Sequence, residues 1–231
     1  LVLGVVGDVN PEMVIDKVKR IFGDFPNPSF NPPEVPQENL PTETQVKEEN
    51  QEKNQAHIVL GFLGTTLASD DRYPLEILNA ILSGQGGRLF MELRDRQSLA
   101  YTVSSFSREG LDPGSFGVYI GTSPDKVDKA IQGIKMELNR VVRESVTEEE
   151  LERAKKYLVG TYEIGLQSNA SQSSDITFNE RYGLGHEFFQ SYAQRIFQIT
   201  AEDVLRVARK YIRMDRYTMT LVRPKAEAGN P

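Results

Sequence analysis

Within GGRLFMELRDRQSLAYTVSSF, residues Gly86 to Phe106, a guanidinium at Arg94 and a phenol at Tyr101 stand seven residues apart, with the small Ala100 just before the tyrosine. They flank the point where the helical spacing of Leu89, Phe90 and Leu93 gives way to an alternating strand. Taken as bare residues the pair has an ordinary reading: Arg94 meets Glu92 or Asp95 in solvent for about 0–1 kcal/mol, and Tyr101 is a strand aromatic. Other candidate chemistry is weaker. His186 begins HEFFQ, one residue short of the H-E-x-x-H pattern that puts two imidazoles a helical turn apart on one metal. The fifth position is Gln190, a neutral and weakly basic ligand, and the only other histidine, His57, lies in an apolar run and reads as a partly buried strand residue. Zinc binding by His186 is therefore not expected. SGQGGRLF lacks the Lys-Ser/Thr and the sixth-position glycine of phosphate loops, so its glycines read as a helix end and a sharply angled new start. There is no G-x-S-x-G elbow, and the absence of cysteine removes thiolate nucleophiles, thiolate zinc sites and disulfides together.

The elements that must position these residues belong to a chain of 231 residues with 39% hydrophobic content, enough for a real core. The net charge of -6, from 27 basic and 33 acidic side chains scattered along the chain, offers no basic stripe for a phosphate backbone, so nucleic acid is not expected as a partner. No apolar run approaches the roughly 20 residues of a membrane span and no signal peptide is visible, so a soluble protein is expected, periplasmic or cytoplasmic and of bacterial type. LVLGVVG, at the chain's start, reads as the middle of a buried strand, so a piece of something longer is expected.

Asn10 and Pro11 cap and open a first helix whose apolar face is Val14, Val18, Ile21 and Phe22. Six of the twelve prolines then fall between Pro26 and Pro41, which reads as an extended linker. Strands are expected at Ala56 to Gly64, Ser115 to Thr122 and RYTMTLVRP, the last matching LVLGVVG in apolar character. Helices are expected at about Ser69 to Ser83, after Ser123 and Pro124, after a capping box of Thr147 and Glu150, at Asn169 to Arg181 and at Thr200 to Arg213. Paired strands and runs of helices predict an α+β fold, an antiparallel sheet with helices on one face.

LSGQGGRLFMELRDRQSLAYTVSSF resembles the signature of the C-terminal, non-metal half of the pitrilysin and insulin-degrading-enzyme family of zinc peptidases, which includes the mitochondrial processing peptidase. The match falls at Ser83, Gly84, Arg88, Leu89, Phe90, Leu93, Arg94, Leu99, Ala100 and Tyr101. LVLGVVGDVNPE is similar to the close of the family's zinc-bearing half, and VTEEELERAKKYLVGTYE to a long late helix. The resemblance implies one half of a clam shell, in which two similar α+β halves close around an unfolded peptide and an H-x-x-E-H motif in the first half holds zinc. It divides this chain into residues 1–25, the closing strand and helix of the preceding half; 26–43, a Pro-rich linker; and 44–231, the C-terminal peptidase-family domain.

This sequence contains no H-x-x-E-H, so no metal is expected in it and no peptide hydrolysis by it alone. Whether it is enzyme or not is decided by a zinc-bearing half, upstream on the same polypeptide or on a separate subunit. The resemblance assigns Arg94 and Tyr101 to the scissile peptide: Tyr101 donates to a tetrahedral oxyanion, Arg94 holds substrate carbonyls, and Ala100 stays small so that the substrate backbone can approach. The expected partners are that half and a peptide substrate, with self-association through the uncovered face. The alternatives are a non-catalytic structural subunit, as some family members are in respiratory complexes, and a plain peptide-binding module.

Overall fold

Branched and aromatic side chains at Ala56–Leu63 alternate between a buried and an open side, and that alternation sets the plan of the molecule. The computed structural model describes residues 1–26, 31, 36 and 39–224. Five strands form one sheet: β1 (Gln45–Gln51), β2 (Ala56–Leu63), β3 (Thr102–Arg108), β4 (Ser115–Thr122) and β5 (Thr218–Pro224), in the order β1-β5-β2-β4-β3. The run β5-β2-β4-β3 is antiparallel, as the sequence predicts, and β1 joins the edge parallel to β5, which makes the sheet mixed. One rung crosses all five strands through Lys47, Thr220, Val59, Tyr119 and Ser104.

Ile58, Leu60 and Phe62 of β2, with Phe116, Val118 and Ile120 of β4 and Met219 and Leu221 of β5, are buried beneath the helices. Those helices are α2 (Arg72–Leu82), α3 (Val127–Arg143), α4 (Glu148–Gly165), α5 (Asn169–Arg181), α6 (Phe188–Gln198) and α7 (Ala201–Tyr211). Thr147 and Glu150 form the expected capping box on α4, and Thr200 with Asp203 forms another on α7. The expected α+β layering, helices on one face of a sheet, is the architecture found.

The first helix, α1 (Pro11–Phe22), is capped by Asn10 as the sequence predicts, but none of its residues is buried. Leu1–Gly7 differs from its expectation. Its exposed and half-buried positions alternate as in an extended chain, yet it belongs to no strand among the described residues and rests instead on α5. Of the expected linker 26–43, residues 27–30, 32–35 and 37–38 lie outside the described residues.

Candidate functional site

The corner that carries Arg94 and Tyr101 begins where α2 ends. Gly84 adopts φ +79°, a left-handed turn that frees the chain from the helix, and Gly87 donates back to the Gly84 carbonyl at 3.0 Å. The segment Phe90–Arg96 is then wound as a π-helix, with Gln97 N–H reaching the Glu92 carbonyl at 3.2 Å. Such widened turns are uncommon and recur at functional sites.

Leu99 is the anchor of the corner. Its side chain is buried, its N–H donates to the Leu93 carbonyl at 2.7 Å, and its carbonyl accepts from the buried Thr122 hydroxyl. Ser98, next to it, is held at φ +52°, and the Lys126 ammonium donates to its carbonyl at 2.9 Å. Tyr101 N–H donates to Gly121 at 2.9 Å, which locks the start of β3 to β4. Thr122 and Lys126 were invisible as corner residues in the sequence, since only the β4-to-α3 connection brings them there.

On this fixed frame the two candidate groups are free. Tyr101 is 58% exposed and its hydroxyl has no partner among the described residues. Arg94 is exposed and lies over the Phe90 ring at 4.9 Å, with no ion pair among the described residues. The pairing of Arg94 with Glu92 or Asp95 is not made. Glu92 is occupied by Gln97 at 2.8 Å and Arg96 at 2.9 Å, and those hydrogen bonds hold its carboxyl below the ordinary range. Ala100 is half-buried against the core.

Arg88, the other arginine of the signature, has a different fate. It grips Glu150 with two bonds, at 2.6 and 2.7 Å, and the side chains are only 9% and 17% exposed. This fork, with the Thr147 cap, holds the Glu150 carboxyl at about 2. Arg88 and Glu150 were each legible for separate reasons; that they meet was not.

No group of three or more potential metal ligands gathers among the described residues. His57 Nδ1 lies 2.8 Å from the Tyr119 hydroxyl on the open side of the sheet. His186 sits in the turn ahead of α6, with Nδ1 3.4 Å from Glu180, so HEFFQ does not lie within one helix. The donors gathered among the described residues do not fit a zinc ion. No helix among the described residues is long and apolar enough to cross a membrane.

The family model for the peptidase M16 inactive domain matches residues 1–158. An uncharacterized zinc protease of Streptomyces coelicolor is 29% identical over 215 residues, 90% of this chain and 47% of the relative. The uncharacterized zinc protease YmxG of Bacillus subtilis is 28% identical over 229 residues, 97% of this chain and 54% of the relative. The chain thus spans about half the length of these relatives. Among solved structures, a protease from Helicobacter pylori superposes with a TM-score of 0.85 at 20% identity, covering 95% of this chain and 54% of the other. A peptidase M16 inactive domain from Pseudomonas fluorescens superposes with a TM-score of 0.84 at 21% identity, covering 97% of this chain and 54% of the other. At these identities the superpositions establish the fold alone.

Proposed function

The chain belongs to the peptidase M16 inactive-domain family, and from that premise we propose that it is the substrate-binding, non-metal half of a zinc-dependent endopeptidase acting on extended peptides. The zinc, and the activated water it supplies, reside in the other half. Residues 1–25 are that half's closing strand and helix, and 26–43 is the linker. The observation that carries the reading is the contrast within one motif: Arg88 is consumed by Glu150, whereas Arg94 and Tyr101 are unpaired on a corner whose backbone is fixed by Leu93, Thr122, Lys126 and Gly121.

A free phenol on a rigid support costs no reorganisation when it donates to a developing oxyanion, and a free guanidinium presents several donors to peptide carbonyls. Ala100 leaves room for the substrate backbone. The test is made in the protein that carries both halves, covalently or as reconstituted subunits. Tyr101→Phe removes one donor, so turnover should fall by about 10²–10³ with peptide affinity and melting temperature unchanged. Arg94→Ala should also weaken peptide binding, by about 1.5–3 kcal/mol. Full turnover in Tyr101→Phe would withdraw the assignment.

A further inference from the structure

Helix α5, NASQSSDITFNER, has no apolar stripe, which is unusual for a helix inside a domain and typical of one that bridges two bodies. Its two opposite sides are both polar and both engaged. On one, Asp175 accepts from the Tyr162 hydroxyl of α4 at 3.0 Å and from Asn179 at 2.9 Å. On the other, Ser173 donates to the Gly4 carbonyl at 2.9 Å. Positions 173 and 177 lie about 200° around the helix from 175 and 179, so the two sets point apart.

The fit at Gly4 is close. A Cβ there would overlap the Thr177 hydroxyl and come within 3.1 Å of the Ser173 carbonyl, while one on Gly7 would lie 3.7 Å from the Asn169 amide. Asn169, Ser173 and Thr177 are spaced to share one helix face. Gly4 to Gly7 spans about 10 Å of extended chain. From the midpoint of Ser173 and Thr177 to Asn169 is about 9 Å of helix. The two lengths agree, and the segment runs antiparallel to α5. Along Leu1–Gly7 the half-buried positions are Val2, Gly4 and Val6, and the alternate ones are exposed.

We propose that the Asn169/Ser173/Thr177 face of α5 is a docking surface for this glycine-bearing extended strand, the contact that fixes the N-terminal unit relative to the second domain. Given the functional reading above, this contact sets how the zinc-bearing half stands over the Tyr101 corner. With Thr177 in place, any side chain at position 4 lifts the strand from the helix.

The test uses the whole chain with spin labels at Val5→Cys and Ser174→Cys, both exposed sites in a protein without other cysteines. The parent should give one narrow, short label-to-label distance. Gly4→Ala should broaden and lengthen it, Gly7→Ala should leave it nearly unchanged, and adding Thr177→Ala to Gly4→Ala should restore it by removing the opposing hydroxyl. A broad distance in the parent, an unchanged one in Gly4→Ala, or no restoration by Thr177→Ala would each overturn the proposal. No activity is read, so the result stands apart from that of Tyr101→Phe.

Discussion

Glu150 serves two structures at once, closing the cap of α4 and accepting both arms of Arg88. Removing its charge leaves a nearly buried guanidinium without its counter-ion. Glu150→Gln should therefore destabilise the fold by about 3 kcal/mol, the lower end of what breaking a buried pair costs. Because its folded pKa is depressed from 4.5 to about 2, the stability it contributes is complete above the unfolded value and is lost as pH falls through that interval. Asp71 behaves alike. Burial opposes its charge, but Lys210 and Arg206, each at 2.6 Å, and the Tyr211 hydroxyl outweigh it and hold it at about 2. Denaturant titrations along the acid limb should thus show a shallower loss in Glu150→Gln than in the parent, and a shallower one still when Asp71→Asn is added, the remainder belonging to carboxyls such as Glu92 and Asp203 that hydrogen bonds also hold low. A parent whose stability did not fall on acidification would refute both assignments.

Between elements, the contact of α2 with α6 rests on a carboxyl of the opposite kind. Burial raises Glu76 to about 7, against the Arg72 charge and a 3.0 Å bond from the Tyr192 hydroxyl. Here the folded state holds the proton more tightly, so stability should decline as pH rises from about 4.5, the unfolded value, to about 7 and then level. Glu76→Gln keeps an acceptor for Tyr192 and has no proton to lose; it should remove the Glu76 share of that decline, leaving only what the buried and likewise raised Glu137 contributes, and be the more stable form in mild alkali, as thermal melts across this range would reveal. The two helices were not equally legible. Helix α2 announces itself through Leu75, Leu78, Ile81 and Leu82, all buried, whereas α6 is not among the helices that the sequence predicts. Its own signal was the spacing of Phe188, Tyr192 and Ile196, the residues it buries. Strand β1 gave no signal at all. Every residue of QVKEENQ is exposed, so pairing with β5 alone makes it a strand, and no apolar alternation is required. The same limit applied at the corner: Arg94 and Tyr101 were found from their motif, but Thr122 and Lys126 reach it only through tertiary packing.

At the scale of the whole molecule the described residues divide into a well-packed domain and an N-terminal unit with little core of its own. Leu1, Leu3 and Val5 are exposed beside α1, whose Ile15 and Phe22 are also exposed, and Phe25 extends the patch. Leu3, Val5, Val14, Ile15 and Val18 line a groove of about 350 Å³ between the strand and the helix. An apolar surface of this continuity is uncommon on a monomer and marks a place where another surface sits. One side of the strand is already taken by α5, so the vacant side, with its unpaired backbone, suits a sheet edge and an apolar helix face, as the proposed zinc-bearing half would supply. With that half absent, a second copy of the chain offers the same apolar surface. Sedimentation should therefore show concentration-dependent self-association. Leu3→Ser with Ile15→Ser should weaken it without lowering the melting temperature of the main domain, because neither residue contacts its core. Adding a separately produced zinc-bearing half should compete with it. A chain that stays monomeric at high concentration and ignores that half would mean the patch is not an interface, and residues 1–25 would then have to be assigned to the domain on which they rest.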